Sequence, residues 1–118
     1  MDTTKQYILM CEKAKEIQVL RPTESNGDWC NWMGDTKCIN VGLVILHKNI
    51  IWLPRQDQLQ DILKDTHWTV YGYFEQITKF MSDSGSMDWS WEQVWLGFAM
   101  KEKYNKIWNG TDWEKEIK

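Results

Sequence analysis

With 118 residues, 42% of them apolar and 26% charged, the chain has the make-up of one folded domain rather than of a disordered segment. Its formal net charge of -3 argues against a protein whose main task is neutralising nucleic-acid phosphates. No apolar run approaches the roughly 18–20 residues of a membrane span, and the charged opening MDTTKQYILMCEKAKE lacks the small-residue cleavage site of a signal peptide.

The elements follow from hydrophobic period and turn chemistry. Thr3 or Thr4 can cap a first helix running to about Val19, with Tyr7, Met10, Cys11, Ala14 and Ile17 on one face. RPTESNGD (21–28) stops it. β-Branched and aromatic residues then predict three strands, about 28–33, 36–46 and 50–53, joined as an antiparallel meander through turns at Gly34-Asp35 and at 47–49. Gly42 is read as a bulge or bend in the middle strand. Pro54 ends the third strand, and Leu59, Ile62 and Leu63 give a short helix over about 55–64 its apolar stripe. A third helix over about 67–82 carries Val70, Phe74, Ile77 and Met81 at helical spacing, with Gly72 weakening it.

The fourth helix has a capping box, Ser90 with Gln93, in which each side chain satisfies the other's free backbone N–H. Trp91, Val94, Trp95 and Phe98 are expected on one face, and Lys101, Lys103 and Lys106 near its negative end at about residue 106. WNGTDW (108–113) is turn chemistry between two tryptophans, a hairpin-like lid on the body. The whole reads as a single α+β domain, a small three-stranded antiparallel meander packed against about four helices in the order α-βββ-α-α-α.

Nine tryptophans, at 29, 32, 52, 68, 89, 91, 95, 108 and 113, set this composition apart. Each buries on the order of 200 Å² while keeping an N–H at one edge, which suits cores and binding surfaces alike. Five or six are expected in the core and two or three partly exposed.

Catalytic and metal chemistry find little purchase. Cys11, Cys30, Cys38, His47 and His67 include no pair at local metal-ligand spacing. Cys30 and Cys38 lie four residues either side of Gly34, so a turn centred there would set them face to face, yet small half-buried strand residues explain them as well. Three cysteines, an odd number, suit a reducing cytosol better than a disulfide framework. The carboxylate pairs Asp57/Asp61 and Asp88/Glu92 each lie one turn apart near a helix N-terminus, where the dipole favours negative charge without any catalysis. Neither nucleotide-binding glycine motif is present, and neither is a nucleophile elbow.

What remains is a surface. Core packing does not dictate the polar face that follows Trp52, with Arg55 and Gln56 nearest to it. Trp108 and Trp113 near Lys101 form a second aromatic-cationic candidate, weighed against a staple that packs the C-terminus onto the core. The candidate binding surface is therefore Trp52, Arg55, Gln56, Lys101, Trp108 and Trp113.

IWLPRQDQLQDIL (51–63), followed by SWEQVWLGFAMKEKYNKIWNGTDW (90–113), resembles a family of small proteins encoded in tailed-phage genomes and prophages. The opening helix YILMCEKAKEIQ (7–18) extends the likeness, and 21–50 matches least. The resemblance implies a context, the cytosol of a host bacterium, and brings no catalytic or ligand residues with it. The expectation is a non-enzymatic accessory protein that binds a host protein, a defence component among the candidates, with no cofactor and no metal. A homodimer would use the same aromatic surface. The alternative is a small-ligand binder that sequesters a nucleotide-like molecule by tryptophan stacking.

Overall fold

Thr4 opens the first helix: its hydroxyl accepts the Tyr7 N–H at 3.3 Å, which satisfies one of the donors a helix start leaves over. In the computed structural model, which describes residues 1–21, 24–25, 27–32, 34–39, 42–43, 50–64, 70–84 and 88–116, helix α1 spans Lys5–Lys13. The single helix expected to Val19 is interrupted. Ala14 leaves helical geometry with ψ 71°, and the chain resumes as a short α2, Lys15–Gln18. Ala14 and Ile17 are fully buried on either side of the break, so the interruption keeps the apolar stripe on the core.

Four strands follow: β1 (Glu24–Ser25), β2 (Asp28–Trp32), β3 (Asp35–Ile39) and β4 (Gly42–Leu43). After them come β5 (Ile50–Leu53) and α3 (Gln56–Ile62). Helix α4 spans Val70–Ser84 and α5 Trp91–Tyr104, and the hairpin β6 (Lys106–Trp108) and β7 (Trp113–Lys115) ends the described chain. Helices and strands are thus mixed, as α+β requires, but the meander is not formed. The order of the three-stranded antiparallel sheet is β3-β2-β5, so the first of the three strands is central and β5 lies against it rather than against β3. The long middle strand expected over 36–46 ends at Ile39, and Gly42–Leu43 pairs instead with Glu24–Ser25 in a separate two-stranded sheet. Five helices and three small sheets replace the expected four helices and one sheet among the described residues. The expected turn at 47–49 lies outside those residues.

The turn between β2 and β3 also sits one residue earlier than expected. Trp32 pairs with Asp35, and Gly34 just before it has the positive φ (83°) that tight hairpin turns need. That register sets Cys30 opposite Lys37 and Cys38 opposite Trp29. The two cysteines are therefore not cross-strand partners.

Helix α5 is the centre of the molecule. Eight consecutive residues, Gln93 to Met100, are buried, and the helix packs against α1, α3, α4 and β6. A helix covered all round needs no amphipathic stripe. Trp91, expected on the inward face, instead stands 55% exposed at the first turn. Gly97 lets α4 come close, since a Cβ there would lie 2.9 Å from both the Phe80 Cζ and the Trp89 Cζ3. Asn105, with φ 55°, turns the chain out of the helix into β6, one residue before the lysine expected in its last turn. No helix among the described residues is long and apolar enough to cross a membrane.

Candidate binding groove

Pro54 cannot extend the β5 ladder, and the chain turns into α3 at Arg55. The Gln58 side chain reaches back to accept the Arg55 N–H at 2.9 Å. The reciprocal capping expected of Gln93 at α5 is thus found at α3 in this half. At α5 Ser90 Oγ does accept the Gln93 N–H (3.2 Å), but the Gln93 amide is turned away, donating to the Asp2 carboxylate at 2.9 Å.

Arg55 is held on three sides. Its guanidinium donates to the Gly27 carbonyl (2.7 Å) and to Asp57 (3.0 Å), and stands 3.5 Å from the buried Asp28 carboxylate. Asp28 in turn accepts from the Gln58 amide. The hydrogen bond from Arg55 is the main reason the Asp57 carboxyl is held below its usual value, with burial working against it. Arg55 therefore ties Gly27 and the start of β2 to the start of α3 and is engaged structurally, not left over as a free contact.

Beside it, Leu20, Trp52, Asp57, Gln58, Asp61 and Ile62 enclose a groove of about 380 Å³ between the end of α2, β5 and the outer face of α3. Trp52 forms its buried floor, at 3% exposure, which corrects its assignment as a surface residue. Its indole N–H has no hydrogen-bond partner among the described residues. Asp57 and Asp61, one turn apart, are exposed at the rim, with Asp61 3.4 Å from Lys64. Gln56 is half-buried on the same helix. Leu20, on the groove's edge, is 47% exposed, and Val19, the residue before it, is 78% exposed. Neither had been singled out from the sequence; a run of two apolar residues just past a helix end was the available signal.

The second candidate cluster disperses. Trp113 is buried and donates its indole N–H to the Met10 carbonyl at 2.9 Å. Trp108 is half-buried with its ring centroid 5.2 Å from that of Trp113. Lys101 lies 5.9 Å above the Phe80 ring, Lys103 donates to the Ile62 carbonyl (3.1 Å), and Lys106 pairs with Glu16 at 2.5 Å. The C-terminal hairpin is a staple onto α1.

The carboxylates near the N-terminus are structural as well. Asp2 accepts from the Thr4 N–H (2.8 Å), the Thr4 hydroxyl (2.7 Å), Ser90 Oγ and the Gln93 amide. Burial pushes its carboxyl up, but the hydrogen bonds from Ser90, Thr4 and Gln93 outweigh burial and hold it below the usual value. Glu92 accepts the Asp2 N–H at 3.0 Å, while Asp88, its supposed partner, is exposed. Cys11 is fully buried and desolvation raises its thiol far above the ordinary range, so it is no nucleophile at neutral pH. Among the described residues no group of three potential metal ligands comes together. His47 and His67 lie outside those residues.

No family model, curated protein or solved structure matches the chain.

Proposed function

We propose that the protein is a non-catalytic binding protein of a tailed phage or prophage, which acts in the bacterial cytosol by covering a surface of a host protein, possible targets including a defence component. One observation carries the reading: Leu20 stands half in solvent on a groove floored by Trp52 and flanked by Ile62, and the residue before it, Val19, is exposed as well. Apolar side chains next to a concave, polar-rimmed site are what a partner's side chain can bury itself against. The likeness of segments 51–63 and 90–113 to phage proteins supports the setting.

Nucleotide stacking at Trp52 or Trp113 gains less support, because both are buried, whereas Trp91, 55% exposed, keeps an indole face open to it. The test is affinity capture from host extract by wild type and by Leu20→Asp. A host protein held in near-equimolar amount by wild type and lost by the variant supports the proposal. A melting temperature raised by a nucleotide, with no protein captured, sinks it.

A further inference from the structure

Among the described residues β5 is an edge strand, yet its edge is not bare. In an antiparallel pair, backbone groups point alternately toward and away from the partner strand. Trp52 and Ile50 are the β5 residues whose backbone groups bond away from β2. The Trp52 N–H donates to Gln18 Oε1 at 2.8 Å, and the Trp52 carbonyl accepts from Gln18 Nε2 at 2.8 Å. A primary amide carries the same donor and acceptor as a peptide unit, so Gln18 occupies one position of a neighbouring strand. Arg21 Nη1 donates to the Ile50 carbonyl at 3.1 Å, and the buried Tyr7 hydroxyl donates to the Pro54 carbonyl at 2.6 Å. Three side chains from the N-terminal helical segment thus take outward groups from Ile50 to Pro54.

We infer that this segment is a surrogate strand that keeps two copies of the chain from pairing through β5. The occupant it excludes is a second β5. Ile50-Ile51-Trp52-Leu53 is apolar throughout, and a two-fold axis through Ile51 would set Ile50 of one copy opposite Trp52 of the other, matching outward donors to outward acceptors. The strap is also built to yield. α2 has only four residues, follows the break at Ala14, and runs into the exposed Val19 and Leu20. This inference does not rest on the identity of any host partner.

The experiment is light scattering with amide hydrogen exchange, on wild type and on Gln18→Ala/Arg21→Ala, across a concentration series. Wild type is expected to stay monomeric with the Trp52 amide protected. In the double variant that amide should exchange roughly tenfold faster when dilute, and the mass should double, with protection restored, as concentration rises. A double variant that remains monomeric at every concentration overturns the inference, and so does a wild type already paired through β5. If the double variant does not fold, Gln18→Glu decides. At neutral pH it keeps an acceptor for the Trp52 N–H but has no donor for the Trp52 carbonyl. It should self-associate where wild type does not, and behaviour identical to wild type would again overturn the inference.

Discussion

Gly97→Ala sets two effects of opposite sign against each other. Replacing a glycine inside a helix with alanine normally stabilises by up to about 1 kcal/mol. Here the new Cβ would sit 2.9 Å from the Phe80 Cζ and 2.9 Å from the Trp89 Cζ3, against an ordinary contact of 3.4 Å or more. Both neighbours are rigid rings, one on α4 and one in the turn before α5, so each must retreat by about half an ångström and neither can swing aside alone. Phe80 is also held against Phe98, with ring centroids 5.9 Å apart. Overpacking of this kind costs about 1–3 kcal/mol, and two rings place it in the upper half of that range. The net loss is about 1–2 kcal/mol, or roughly 3–10 °C in melting temperature. Urea and thermal unfolding of Gly97→Ala measure it, and Phe80→Leu with Gly97→Ala should recover part of the loss by removing one ring. A Gly97→Ala protein as stable as wild type would refute the close approach of α4 and α5.

Three further outcomes follow from the buried polar contacts. Tyr7→Phe strands the Pro54 carbonyl and should cost about 1–2 kcal/mol in chemical denaturation; no loss would mean that the hydroxyl is not bonded there. Trp113→Phe removes the indole's second ring from a buried site as well as the bond to the Met10 carbonyl, so a loss of about 2 kcal/mol is expected, together with faster exchange of the β6–β7 amides. The Asp2 carboxyl lies below its ordinary value of 3.8 in the folded protein, so its contribution is complete above that pH and disappears as pH falls through the lower folded value. Wild type should therefore lose more stability than Asp2→Asn on acidification below about pH 4, and parallel losses would contradict the network around Asp2.

Local chemistry made the helix starts and the final hairpin legible. Thr4, Pro54, Ser90 and the NGTD turn each act within a few residues of themselves, where sequence spacing reports directly on geometry. Strand order was not legible, because nothing local to Ile50–Leu53 distinguishes β2 from β3 as its partner. The side-chain partners were hidden for the same reason. Lys106 meets Glu16 from 90 residues away, and Gln93 serves Asp2 across 91, so its intrahelical role was overruled by a tertiary one. Tryptophan burial was half legible. Trp95 entered the core as its helix face implies, but Trp52 and Trp113, both named for the surface, did too and Trp91 did not, since fit against several elements decides between them.

The most direct test of the binding surface is photo-cross-linking inside the host bacterium, with a photoreactive residue in place of Leu20. Glu102, exposed on α5, serves as the reference position. A discrete adduct with one host protein from position 20, absent from position 102, is the predicted result. No adduct at position 20, or the same adducts from both positions, would contradict the account.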